Sequence, residues 1–292
     1  MSPPPARGVL VTGSSRGVGA AVARAFAARG DRVVVHYLGK ATAAQEVHAG
    51  LPGTGHAVVQ ADLADPAAVE RLAREAGAAL GRVDVLVNNA AMLTAPWEGR
   101  GRRGDHPLES TAYDEWVQIW ERTLAANVLG PANLVWQVAR HMIDTPPAEG
   151  LPVGRIVNVG SRGAYRGEPD IPAYGASKAA LHSLGQSMAV RLAPHGIAVT
   201  SIAPGFIETE MAGYALSGDR AAATRAQSPF DRVARPEEVA DAIVALADPP
   251  AQGGDVARDG VEVDLHPERG GGCGAGHGGP KSRRLTAGGW PR

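Results

Sequence analysis

Short runs of β-branched apolar residues alternate along this chain with Ala-rich stretches of helical period. The runs lie at 9–11, 33–36, 57–60, 83–87, 155–159 and 198–202, and each reads as a buried strand. The intervening stretches at 20–29, 42–49, 66–80, 113–142, 173–192 and 236–247 read as helices. Gly30 stops the first of them, and Asp65 is placed to cap the third with Pro66 at its first position. Strict alternation of this kind predicts an α/β fold, a single parallel sheet covered by helices on both faces.

Two regions break the pattern. Residues 97–112 (WEGRGRRGDHPLESTA) form a Gly/Arg-rich stretch between the fourth strand and the next helix. It reads as a solvated surface insertion, with a rim of a substrate pocket or a subunit contact as the alternative. A tail of residues 253–292 follows a domain of residues 1–252. Val261, Val263 and Leu265 alternate and could supply one last strand, whereas the Gly/Arg/Pro-rich stretch from 267 onward lacks the apolar surface to offset chain entropy and is expected to be disordered.

The composition narrows the function classes. The 292 residues are 44% hydrophobic and 20% charged, with a formal net charge of −1, so no overall field draws the chain to nucleic acid or anionic lipid. No apolar run reaches the roughly 18 residues of a membrane span. The opening MSPPPARG lacks the apolar region of a signal peptide, which makes the cytoplasm the expected location. The single cysteine, Cys273, excludes an intrachain disulfide, and no His/Asp/Glu set has metal-ligand spacing, so no metal is expected.

Chemistry concentrates at the ends of the strands. Thr12-Gly13-Ser14-Ser15-Arg16-Gly17-Val18-Gly19 joins the first strand to the first helix. Glycines are needed there if backbone must turn sharply and let a diphosphate approach main-chain N–H groups at a helix N-terminus. The spacing is TGxxxGxG, distinct from the GxGxxG dinucleotide fingerprint. Further on, Tyr174 and Lys178 stand four apart on a helix, so phenol and ammonium share one face. A phenol of pKa near 10 is poorly matched to neutral acid–base work, and a nearby cation lowers it by about 1–3 units. Ser161, at the end of the fifth strand, faces the crevice where open α/β sheets bind ligands and could hydrogen-bond a substrate oxygen.

TGSSRGVG, Asn88-Asn89-Ala90, Tyr174-Gly-Ala-Ser-Lys178 and Pro204-Gly205, in this order over roughly residues 6–250, resemble the short-chain dehydrogenase/reductase family. The resemblance implies one Rossmann-like doubly wound domain and an oxidoreductase that moves hydride between a nicotinamide cofactor and a ketone or secondary alcohol. It makes Tyr174 the general acid/base, with Ser161, Lys178 and Asn127 beside it, Asn127 holding a water for proton relay through Lys178. For the cofactor it implies contacts from Gly13, Ser15, Arg16, Gly17, Val18, Gly19, Tyr37, Asp62, Leu63, Asn89, Ala90, Tyr174, Lys178, Pro204, Gly205, Ile207 and Thr209. It further implies a lid over residues 210–230, a homotetramer or homodimer, and a small carbonyl or alcohol substrate, with 3-oxoacyl-carrier-protein reductases as the nearest pattern.

The second strand runs into Val35-His36-Tyr37-Leu38-Gly39-Lys40 without the acidic residue that would bind a free ribose and repel a 2′-phosphate. With Arg16 in the glycine loop, and Lys40 and His36 to help neutralise a phosphate, NADP(H) is expected over NAD(H). Ala91 stands where the family pattern has glycine, and would be strained if its φ were positive. His182 and His195 read as solvent-facing helix residues. Two other readings remain open: an NAD-dependent alcohol, steroid or sugar dehydrogenase, and a dinucleotide-binding sensor without turnover.

Overall fold

The computed structural model of the chain describes residues 5–93, 105–213, 216–218, 220–228, 230–248 and 262–264. Seven parallel strands make one sheet: β1 (Gly8–Val11), β2 (Arg32–Tyr37), β3 (Ala57–Gln60), β4 (Val85–Asn88), β5 (Gly154–Val159), β6 (Ile197–Ala203) and β7 (Glu262–Asp264). Their order is β3-β2-β1-β4-β5-β6-β7. The chain therefore steps outward from β1 in one direction, returns to β4 beside it, and steps outward in the other. That reversal between β1 and β4 opens a crevice at the carboxyl ends of the strands.

Apolar side chains on both faces of every central strand explain why the sheet needs two helical layers. On one face α1 (Gly17–Ala28) and α8 (Pro236–Ala247) pack on Val9, Val11, Val33, Val35 and Val157. On the other, α3 (Pro66–Leu80), α5 (Gly130–Asp144) and the end of α6 (Pro172–Leu192) cover Leu10, Val34, Leu86 and Ile156. The short α2 (Ala41–Ala49) adds Ala44 and Val47 to the first layer. Gly30, at φ 90°, ends α1 as expected, and the Asp65 carboxylate accepts from the Ala67 N–H at 2.9 Å ahead of Pro66.

Local differences from the sequence reading have identifiable causes. Residues 113–142 do not form one regular helix. They make α4 (Tyr113–Leu124), a π-helical turn (Ala125–Leu129) and α5. Pro131 has no N–H to donate to the carbonyl four residues back, at Asn127, so the α ladder cannot continue through this point and a wider register takes over. β4 begins at Val85 because Asp84 is drawn into a buried cluster, accepting from the Gly8 N–H at 2.7 Å and pairing with Arg82. The strand expected near 261–265 is β7, paired with β6 from Ser201↔Glu262 to Ala203↔Asp264. The stretch from 267 onward lies outside the described residues.

Candidate active site

The glycine loop, Asn88-Asn89-Ala90, Ser161 and Pro204-Gly205 lie at the carboxyl ends of β1, β4, β5 and β6, while Tyr174 and Lys178 are carried by α6. The glycine loop follows β1, and its shape comes from Gly13 and Gly17, at φ 64° and 54°. Gly19 is the tightest point: a Cβ there would lie 2.4 Å from the Gly13 carbonyl oxygen and 2.5 Å from Asn89 Nδ2. The loop is fastened to the end of β4 by Thr12, a residue to which the sequence reading gave no role. Its hydroxyl donates to the Val87 carbonyl at 3.2 Å and accepts from the Asn89 and Ala90 N–H groups, both at 3.0 Å. Asn89 Nδ2 in turn donates to the Thr12 and Gly13 carbonyls at 2.8 and 3.2 Å. We expect Gly19→Ala to destabilise the fold by about 1–3 kcal/mol through overpacking. A urea titration should show it, together with loss of cofactor affinity, because the loop must open for the methyl to fit.

Ala91 is unstrained. Among the described residues the only non-glycine at positive φ is Asp231.

His36 is not a phosphate ligand, contrary to expectation. It is buried, its Nδ1 accepts from the Gly13 N–H at 2.9 Å, and its Nε2 meets the Ala61 carbonyl at 3.1 Å. That pair of bonds requires the neutral ring with the proton on Nε2, and burial lowers its pKa to about 4. His36 is thus a brace between the glycine loop and the end of β3. Arg16 and Lys40 do converge at the mouth of the crevice, where both meet the carboxylate of Glu210. Asp62 is turned partly onto its own backbone, accepting from the Ala64 N–H at 2.9 Å, and Leu63 is buried beside Gly130. Tyr37 is half-buried at the end of β2.

Lys178 is among the largest fully buried side chains of the molecule. Its ammonium donates to the Val159 carbonyl at 2.8 Å and lies 5.7 Å from the centre of the Tyr174 ring. Burial lowers its pKa to about 8 from the ordinary 10.5, which still leaves it mostly charged at neutral pH. Tyr174 is half-buried in the first turn of α6. Ser161 ends the β5 segment, and its hydroxyl oxygen accepts from the Gly163 N–H at 3.1 Å, which fixes the side chain while its O–H remains able to donate elsewhere. The Asn127 side chain is committed to structure. Its Oδ1 accepts from the Met92 N–H at 2.7 Å, and its Nδ2 donates to the Met92 carbonyl at 2.8 Å and to Ser177 Oγ at 3.1 Å. It ties the loop after β4 to the helix that carries Tyr174 and Lys178.

After β6, the Pro204 carbonyl accepts from the Arg162 N–H at 3.1 Å. This places the Pro204-Gly205 segment beside Ser161. Ile207 bridges to Ala234, and Thr209 closes over the glycine loop, with its Cγ2 3.4 Å from where a Cβ of Gly17 would stand.

Family comparison agrees with this geometry. Residues 13–255 match the family model described as enoyl-(acyl carrier protein) reductase. The chain is 36% identical over 241 residues to the 3-oxoacyl-[acyl-carrier-protein] reductase of Escherichia coli, covering 82% of this chain and 88% of that protein. It is also 36% identical over 245 residues to the cis-4-hydroxycyclohexanecarboxylate dehydrogenase of Sinomonas cyclohexanicum, covering 82% and 89%. Among solved structures, a short-chain dehydrogenase from Burkholderia cenocepacia in complex with NADP superposes with a TM-score of 0.72 at 33% identity, over 88% of this chain and 96% of that one. The chain belongs to the short-chain dehydrogenase/reductase family. It is an enzyme of the oxidoreductase class, on the Rossmann-like fold that its strand order requires.

Within this short-chain dehydrogenase/reductase, one residue near the site was hidden in the Gly/Arg-rich insertion. Residues 94–104 lie outside the described residues, but His106 is completely buried rather than solvated. Its main-chain N–H donates to the Asp170 carbonyl at 2.7 Å, its Nε2 accepts from the Ala173 N–H at 3.3 Å, and its ring packs edge-on to Trp116 at 5.8 Å. The Ala173 amide is one of the N–H groups that a helix start leaves unpaired, and it immediately precedes Tyr174. His106→Ala should therefore cost about 1–3 kcal/mol, the penalty for a buried donor left unsatisfied, measured as a lowered denaturant midpoint. His182 is likewise not a free surface residue, since its ring meets the Tyr165 hydroxyl at 3.1 Å, whereas His195 is exposed. Within residues 210–230, the segment expected to form a lid, a 3-10 turn (Glu210–Ala212) and α7 (Arg220–Arg225) are formed, with Met211 and Phe230 exposed; Tyr214 lies outside the described residues.

Proposed function

We propose that this enzyme is an NADP(H)-dependent reductase of a ketone, with Tyr174 as the general acid, and that the same groups serve the reverse oxidation of a secondary alcohol. The observation that carries the reading is the buried Lys178 ammonium, held on the Val159 carbonyl and aimed at the Tyr174 ring. A structural lysine gains nothing from full desolvation, while a cation beside a phenol stabilises the phenolate left after proton donation.

The residues present fit a dinucleotide. Gly13 and Gly17 hold left-handed backbone, Gly19 leaves no room for a side chain, and the loop enters the N-terminus of α1, where the main-chain N–H groups that a helix start leaves unpaired suit a diphosphate. Gly13, Ser15, Arg16, Gly17, Val18 and Gly19 would hold the phosphates. Tyr37, Asp62 and Leu63 would flank the adenosine. Asn89, Ala90, Pro204, Gly205, Ile207 and Thr209 would frame the nicotinamide end. The bound cofactor supplies the hydride. Ser161 donates a hydrogen bond to the substrate oxygen and fixes its position. Tyr174 gives that oxygen its proton as the carbonyl becomes an alcohol, and Lys178 remains charged throughout. With the Asn127 side chain committed to Met92 and Ser177, any proton relay at this residue would run through its main-chain carbonyl.

The absence of an acidic residue after β2 and the pairing of Arg16 and Lys40 at the crevice mouth support NADP(H) over NAD(H). Relatives named as 3-oxoacyl-carrier-protein reductases support a substrate carried as a 3-oxoacyl thioester. Leu129 and Trp136, 58% and 63% exposed around the start of α5, support a homodimer or homotetramer. Among the described residues no helix is long and apolar enough to cross a membrane, and we place the enzyme in the cytoplasm. Steady-state reduction of a 3-oxoacyl thioester tests the assignment. We expect kcat/KM with NADPH at least about tenfold above that with NADH, the worth of one phosphate contact of roughly 1.4 kcal/mol. Parity, or a preference for NADH, would overturn the choice of cofactor.

A further inference from the structure

Three charges from distant parts of the chain meet at the mouth of the crevice. Arg16 comes from the glycine loop, Lys40 from the residue before α2, and Glu210 from the turn that follows Thr209. Arg16 Nη1 lies 2.6 Å from Glu210 Oε2, and Lys40 Nζ lies 3.5 Å from the same oxygen. The two cations hold the Glu210 carboxyl below the usual carboxylate range, Arg16 more strongly than Lys40. All three side chains are about half exposed, between 51% and 53%. Ion pairs in that setting contribute little to folding, so stability does not explain why two cations share one oxygen.

Position suggests what they share it for. Lys40 follows β2, the strand whose end meets the adenosine ribose in this class of sheet, and Arg16 lies in the loop that faces the diphosphate. An anion bridging these two residues stands where a 2′-phosphate would stand. The carboxylate now there is carried by the segment after β6, which also brings Thr209 onto Gly17. That segment is therefore tied across the crevice mouth by an internal anion.

We propose that Glu210 is a specificity-determining residue: in the free enzyme its carboxylate occupies the Arg16–Lys40 pair, and the 2′-phosphate of NADP(H) displaces it, releasing the segment between Phe206 and Gly213. The inference rests on reading Arg16 and Lys40 as the phosphate site. A phosphate brings more charge and more acceptor oxygens than a carboxylate and so wins the exchange. The exchange nevertheless lowers its apparent affinity, because only the fraction of enzyme with the pair vacated can accept it. A dinucleotide without the 2′-phosphate leaves Glu210 in place and is bound without this competition.

The test is calorimetric titration of the full-length enzyme with NADPH, NADH and adenosine 2′,5′-bisphosphate, in wild type, Glu210→Gln, Arg16→Ala and a Glu208→Gln control. Removing a competing exposed pair should tighten NADPH and the bisphosphate by about threefold, within the roughly 0.2–1 kcal/mol of such a pair. NADH binding, and every affinity of Glu208→Gln, should stay within about twofold of wild type, the scale of an ordinary surface substitution. Arg16→Ala should weaken NADPH. If Arg16→Ala leaves NADPH affinity unchanged, the phosphate site itself is misassigned. If Arg16→Ala weakens NADPH but Glu210→Gln does not tighten it, the phosphate site stands and the displacement does not. Equal tightening of NADH by Glu210→Gln would overturn the assignment to the 2′-phosphate.

Discussion

Tyr174→Phe should lower turnover by about 100- to 10,000-fold, the span attributed to a positioned general acid, and leave cofactor affinity close to wild type. The phenyl ring retains the packing of the tyrosine in the first turn of α6 and leaves the Lys178 ammonium an aromatic ring, whose centre lies 5.7 Å away in the wild type. Only the proton donor is removed. The measurement is a pair: kcat with a 3-oxoacyl thioester and NADPH, and the NADPH dissociation constant by calorimetry. Loss of activity with binding preserved places Tyr174 in the chemistry. Activity within a few-fold of wild type would move the general acid elsewhere.

Lys178→Met should lower activity by about 10- to 1,000-fold, matching the roughly 1–3 pKa units by which one neighbouring cation shifts an acid. Its effect on stability should be much smaller, because methionine fills similar volume and removes a charge that is costly to bury. The pH dependence distinguishes this lysine further. Burial holds its pKa near 8, below the 10.5 of the unfolded chain, so between those values the unfolded state binds the proton more tightly. Its contribution therefore becomes more favourable to folding as pH rises from about 8 toward 10.5. Wild-type stability relative to Lys178→Met should increase across that window in denaturant titrations. Reductive activity of the wild type should instead fall as pH rises through about 8, as the ammonium is lost. Lys178→Met should lack that limb.

Much of this was legible in the sequence, and what was legible has a common physical basis. Buried parallel strands must be apolar on both faces, so the runs around Val9, Val33 and Val157 announced themselves, and the strand ends then located the glycine loop, Ser161 and Pro204. The four-residue spacing of Tyr174 and Lys178 could be turned into a shared helix face without any structure. What stayed hidden depends on burial and on partners far away in the chain. His36 looked like a cation available to a phosphate, because residue type conveys charge but not that Gly13 and Ala61 lie on either side of the ring. Asn127 showed an amide in a helical stretch, but its bonds go to Met92 and Ser177, which no local pattern relates to it. The break in the helix at residues 125–129 did have a signal, Pro131, which the surrounding apolar period overrode. His106 lay inside an Arg/Gly-rich insertion whose composition suggested solvent. Glu210 gave no signal, since its meaning comes only from Arg16 and Lys40, 194 and 170 residues away.

The most direct test of hydride transfer by this enzyme is to follow the hydride itself. The enzyme is supplied with NADPH deuterated at the transferring carbon of the nicotinamide, together with a panel of 3-oxoacyl thioesters and simple ketones, and the products are read by mass spectrometry. The wild type should yield an alcohol carrying one deuterium on the former carbonyl carbon, and Tyr174→Phe should yield far less of it. NADPH that binds tightly yet transfers deuterium to no member of the panel would contradict hydride transfer, and would favour a protein that senses the dinucleotide without turning it over.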